Sequence, residues 1–162
     1  MKKRAFLFDW GNTIMRDLPG ETGAMCLWSR VEAMPHAARV LEQLSTTASC
    51  FLATNAADST RQDILKALQR AGLDQFLTDI FCARDLGCSK PSKEYFDTIL
   101  RALKRLGIDR AEALVVGDSL ESDVRGAQAA GIDAVLYDPE GQHQTYPGPR
   151  ITDLRMLLEE PL

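Results

Sequence analysis

A short apolar run, Ala5-Phe6-Leu7-Phe8, stops at Asp9, and a second one far downstream, Leu114-Val115-Val116-Gly117, stops at Asp118. Runs this short are of strand length, and apolar residues at every position fit a strand covered on both faces, as in a parallel sheet between helices. Each carboxylate therefore stands where a buried strand gives way to a loop. A third acid, Asp123, follows within Gly117-Asp118-Ser119-Leu120-Glu121-Ser122-Asp123. Three carboxylates gathered at one sheet edge repel one another unless a cation holds them, so a metal is expected there. Two further runs also deliver polar groups: Cys50-Phe51-Leu52-Ala53 leads into Thr54-Asn55, and Ile80-Phe81-Cys82 precedes Ser89-Lys90-Pro91. In an open parallel sheet, ligands bind beyond the carboxyl ends of the strands, which would turn Asp9, Thr54, Lys90 and Asp118 toward one pocket.

Helical patterns fill the gaps between these runs. Pro35 is placed to open a helix whose inner face carries Ala37, Val40, Leu41 and Leu44. After the second strand, a helix capped near Ser59, with Gln62 closing a capping box, puts Ile64, Leu65, Leu68 and Ala71 on one stripe. A third helix from about Ser92 carries Phe96, Ile99, Leu100 and Leu103, and a fourth runs from Glu121 to Ala130. Ala134 to Leu136 form a fifth strand, Asp138 to Arg150 a loop, and Thr152 caps a last helix bearing Leu154, Leu157 and Leu158. Strand and helix alternate throughout, which predicts an α/β fold with a parallel five-stranded sheet covered on both faces.

The 162 residues are of single-domain length, and one domain over 1–162 is expected. A net charge of −4 argues against a nucleic-acid or anionic-membrane binder, since those need a basic footprint. It leaves room for a small anionic substrate, because one lysine and one divalent cation can set the local sign. The cysteines Cys26, Cys50, Cys82 and Cys88 form no CxxC pair and read as reduced thiols of a cytoplasmic protein. His36 and His143 have no nearby Cys to complete a zinc loop.

Taken together and in this order, Asp9 with Thr13, then Thr54-Asn55, Lys90-Pro91, and Gly117-Asp118-Ser119 with Asp123 resemble the haloacid dehalogenase (HAD) superfamily of aspartate-nucleophile hydrolases. The resemblance implies a Rossmann-like three-layer sandwich in which the first and fourth strands lie side by side, bringing Asp9 beside Asp118. Relatives usually carry a cap domain after the first strand or between the second and third. Neither gap is large here, so a capless member is expected, with residues 15–34 as a short flap. Within that flap Met25 to Trp28 would either pack onto the core or meet a second subunit, which keeps a homodimer open. Trp10, beside the nucleophile, is expected to pack rather than to hold a ring of the substrate.

The resemblance also implies roles. Asp9 is the nucleophile, and Mg2+ is held by Asp9, Asp118 and the backbone carbonyl of Gly11, with Asp123 as a further ligand or an orienting group. Thr54, Asn55 and Lys90 bind the phosphate of a small phosphorylated substrate. Phosphatases of this kind carry a second Asp two residues after the nucleophile as general acid and base, but here that position is Gly11. Asp17 in the flap is the nearest substitute. The expected activity is a magnesium-dependent phosphohydrolase working through an aspartyl-phosphate. Carbon-phosphorus or carbon-halogen hydrolysis within the superfamily is one alternative, and a weakly catalytic binding or regulatory protein on the same HAD fold is the other.

Overall fold

The computed structural model describes residues 2–159. Its sheet comprises β1 (Ala5–Phe8), β2 (Ser49–Thr54), β3 (Asp79–Cys82), β4 (Ala113–Gly117), β5 (Asp133–Tyr137) and β6 (Arg150–Ile151). All pairs are parallel and the spatial order is β3-β2-β1-β4-β5-β6. The sequence pattern predicts five strands. The sixth is two residues long and pairs only with β5, too short to leave a periodic signal.

Side chains alternate across the sheet, as the pleat requires. From β1, Phe6 and Phe8 join a core with α1 (Ala37–Ser45) and α2 (Arg61–Ala71) on one face. Ala5 and Leu7 join the opposite core with α4 (Lys93–Arg105), which follows the short α3 (Ala83–Leu86). On α1, Ala37, Val40, Leu41 and Leu44 are all buried, matching the spacing that predicts the helix. On α4 the buried stripe is Tyr95, Phe96, Ile99 and Leu103. Leu100 is only partly buried, and Tyr95, whose hydroxyl donates to the Phe81 carbonyl at 2.7 Å, takes an inner place instead.

Helix boundaries differ from the sequence reading by a residue or two. The chain enters α1 through His36 rather than Pro35. Thr60 rather than Ser59 caps α2, and Asp63 closes its capping box. Both residue pairs offer the same chemistry, so spacing alone does not choose between them. Beyond β4 the expected helix is split into a π turn over Leu120–Arg125 and a short α5 (Gly126–Ala129). Asp153 rather than Thr152 caps the last element, a 3-10 turn over Leu154–Leu158.

Between β1 and α1 the chain makes one 3-10 turn, Met25–Leu27, that lies against α2. Met25 is buried in the core while Leu27 is 82% exposed, so core packing accounts for most but not all of the Met25–Trp28 patch. Among the described residues, no helix is long and apolar enough to cross a membrane.

Candidate active site

The strand order reverses direction between β1 and β4, and an open α/β sheet forms its ligand crevice at such a point. Phe8 is in register with Val116, and the Asp9 N–H donates to the Val116 carbonyl at 2.8 Å. Asp9 and Asp118 therefore leave neighbouring strands within one residue of the same level. Oxygens of Asp9, Asp118 and Asp123 lie within 4.8 Å of one another.

Asp123 reaches this cluster because residue 117 has no side chain. A Cβ on Gly117 would stand 2.2 Å from an Asp123 carboxylate oxygen, an approach no real side chain makes. Asp123 is fully buried, and both its oxygens have protein donors: Lys90 Nζ at 2.6 Å and the Ser119 N–H at 3.0 Å.

Lys90 is buried at the centre of the acids. Its ammonium donates to Asp9 at 2.7 Å, to Asp123, and to the Ala53 carbonyl at 2.7 Å. Burial alone would lower its pKa, but the charges of Asp9 and Asp123 outweigh that and hold it above the ordinary lysine value. Asn55 fixes the Lys90 backbone from both sides, donating to its carbonyl at 2.9 Å and accepting from its N–H at 2.8 Å. Thr54 is buried at the end of β2, and its hydroxyl oxygen accepts from the Ala56 N–H at 3.0 Å, leaving its proton to donate toward the cavity.

The acids strain against one another. Burial, followed by the charges of Asp9 and Asp123, pushes the Asp118 carboxyl up to about 7. Burial and the charge of Asp9 push Asp123 up to about 6, against the pull of Lys90. Thr13, fully buried, steadies Asp118 with a hydroxyl contact of 3.3 Å.

Asp17 lies where the missing second acid would be. A Cβ built on Gly11 would meet Asp17 oxygens at 2.6 and 3.0 Å. Residue 11's own carboxylate oxygens, were it an Asp, would stand ~2.4 Å from that Cβ by standard bond lengths. Asn12, left-handed at φ 55°, accepts from the Asp17 N–H at 3.1 Å and donates to its carboxylate at 3.3 Å. Asp17 is exposed at the cavity mouth, yet partial desolvation and then the charge of Asp9 raise its pKa.

Asp9, Asp17, Thr54, Asn55 and Asp118 line one cavity of about 410 Å³. Met25, Trp28 and Asp58 complete its wall. Trp10 also lines it but is only 3% exposed, and its indole N–H contacts the Met25 sulfur at 3.1 Å, in keeping with a packing role. Every site residue singled out in the sequence thus comes to one place. Asp58 was not singled out, since a polar residue just ahead of a helix carries no signal beyond that of a turn.

A family model described as haloacid dehalogenase-like hydrolase matches residues 21–137, which include Thr54, Lys90, Asp118 and Asp123. The chain belongs to this family. Within it, the chain is 32% identical over 101 residues to a HAD-hydrolase, YfnB, of Bacillus subtilis, covering 62% of this chain and 41% of that protein. It is 32% identical over 127 residues to a ribulose-1,5-bisphosphate 5-phosphatase of Halopiger xanaduensis, covering 75% and 51%. A solved structure of YfnB bound to magnesium superposes with a TM-score of 0.78 over 97% of each chain, at 20% identity, a likeness of fold. The chain spans about half the length of these curated relatives.

Proposed function

We propose that this member of the hydrolase family is a phosphatase that forms an aspartyl-phosphate on Asp9. The observation that carries this reading is the clamp on Asp9: a buried ammonium on one side, Asp118 on the other, and Thr54 facing the same cavity. Those are the groups needed to hold a phosphate against a carboxylate. A phosphatase among the relatives supports the same class of reaction.

The donor set fits magnesium. Asp9 and Asp118 together with the Gly11 carbonyl would hold the ion, leaving its other positions to water and substrate, as magnesium prefers. Bound there, it would offset the repulsion between the phosphate and the carboxylates and polarise the phosphoryl oxygens. Asp123 would act from behind, holding Lys90, because both of its oxygens already have protein donors.

An Asp9 oxygen attacks phosphorus as the ester P–O bond breaks. Thr54, with the backbone N–H of Asn55, carries the charge on the phosphoryl oxygens, while Lys90 holds the Asp9 carboxylate and adds its positive charge from behind it. Asp17 delivers its proton to the departing alcohol oxygen. In the second step Asp17, now ionised, takes a proton from water as that water attacks phosphorus, the P–O bond to Asp9 breaks, and inorganic phosphate leaves. Residues 15–34, rather than a separate cap, cover the mouth of the site, and the substrate is a small phosphorylated molecule.

The test is turnover of p-nitrophenyl phosphate with and without magnesium, in wild type and Asp9→Asn. Turnover should require the metal and vanish in the variant, which keeps the side-chain shape but removes the nucleophile. A variant retaining most of the rate would sink covalent catalysis by Asp9.

A further inference from the structure

Among the described residues, no basic side chain lines the cavity beside Asp9. Four of its residues, Asp9, Asp17, Asp58 and Asp118, are acids, and the rest of its wall is neutral. Lys90 stands behind Asp9, and its three protons are taken up by Asp9, Asp123 and the Ala53 carbonyl. Asp9 and Asp118 face the phosphate and its cation. Asp17 and Asp58 remain, both exposed toward the space left for the alcohol.

Neighbouring clefts do not reverse this sign near the phosphate. The cleft on the far side of Asn12 and Asp118 holds Arg16 and His143, but also Asp138 and Glu140, and Arg16 pairs with Glu32 at 2.9 Å. Arg84 lines a separate cleft on the far side of Asn55 and Ala57, and is not part of the first cavity's wall.

Resting on the phosphatase reading, we propose that this site selects phosphomonoesters whose alcohol bears no second anion close to the phosphate, and that Asp58 is a specificity-determining residue. A neutral or amine-bearing alcohol meets Trp28, Met25, the protonated Asp17 and the Asp58 carboxylate. A carboxylate or second phosphate in the same place meets the charge of Asp58 with no basic side chain in the described wall to balance it. The inference sets this chain apart from the relative named for a bisphosphate.

Three short esters of similar size test it: glycerol 3-phosphate, 3-phosphoglycerate and phosphoethanolamine, each assayed with excess magnesium. In wild type, kcat/KM for glycerol 3-phosphate and for phosphoethanolamine should exceed that for 3-phosphoglycerate by on the order of tenfold or more, and the gap should narrow at high salt. Asp58→Asn should shrink the ratio, and Asp58→Lys should shrink it further. Equal kcat/KM for glycerol 3-phosphate and 3-phosphoglycerate, or a ratio unmoved by both Asp58 variants, would overturn the inference. Turnover of p-nitrophenyl phosphate in the same preparation separates the two readings. If it is present with a flat ratio, charge selection alone falls, whereas if no ester is turned over the phosphatase reading falls and this one with it.

Discussion

Moving one carboxylate between positions 17 and 11 should switch the chemistry of the site off and on again. Asp17→Asn removes a proton donor while keeping the backbone contact to Asn12. Losing a positioned acid costs about a hundred- to ten-thousand-fold on a poor leaving group, or roughly 2.7 to 5.4 kcal/mol in the barrier. An aryl phosphate departs without help, so its first step should slow far less. Stability should change by less than about 1 kcal/mol, since Asp17 is exposed and its carboxylate has one long hydrogen bond, 3.3 Å, to Asn12.

Gly11→Asp alone should not simply add an acid. Its Cβ would be 2.6 Å from an Asp17 oxygen, so Asp17 must swing away, and two carboxylates about 4 Å apart repel by roughly 1 kcal/mol in water and more when shielded from it. Gly11 is not among the left-handed glycines, so the backbone itself accepts a side chain. The double variant Gly11→Asp/Asp17→Ala should therefore recover alkyl phosphate hydrolysis to within about tenfold of wild type, well above Asp17→Asn. Steady-state rates on glycerol 3-phosphate and p-nitrophenyl phosphate, with melting temperatures as a control for folding, read all three proteins. Equal losses on both esters in Asp17→Asn, or no recovery in the double variant, would refute the assignment of Asp17 as acid and base.

Lys90→Met should destabilise the fold by about 3 to 5 kcal/mol in urea unfolding at neutral pH, because it leaves Asp123 fully buried without its partner, either charged and unpaired or forced to take up a proton. Adding Asp123→Asn should cost less than the two single losses combined; strict additivity would show that the pair is not coupled. In the metal-free protein, Asp118 and Asp123 hold protons that the unfolded chain has already released, so stability should fall as pH rises from about 4 to about 7. Magnesium needs the ionised acids, so the rise in Tm on adding it should be larger at pH 7.5 than at pH 5. A rise independent of pH would place the ion elsewhere.

The sheet and the positions of Asp9, Thr54, Lys90 and Asp118 were legible because a buried parallel strand writes an unbroken apolar run, and the residue that breaks it marks the crevice. The cap of α2 was misplaced by one residue because Ser59 and Thr60 are chemically equivalent caps. The π turn at Leu120–Arg125 left no trace in sequence, since its cause is tertiary: Asp123 must turn inward to reach Lys90. Asp17 was nameable only as a nearby acid. What distinguishes it from any other loop carboxylate is the left-handed Asn12, which folds the chain back so that residue 17 fills the space beside Gly11.

Charge accounting explains why these parts occur together. Three carboxylates facing one ammonium leave an excess of two negative charges in a part-buried crevice, and burial first, then that crowding of charge, raises the pKa values of Asp118 and Asp123. A divalent cation neutralises that excess where a monovalent one would leave half of it. In the proposed site Asp123 has both oxygens engaged by Lys90 and Ser119, so an ion would be left to Asp9 and Asp118 on the solvent side, where a phosphate could reach it. With that centre neutral, the phosphate brings its own charge to a cradle that tolerates it. In the proposed reaction Asp17 and Asp58, outside that balance, would act on the alcohol: one through its proton, the other through its sign.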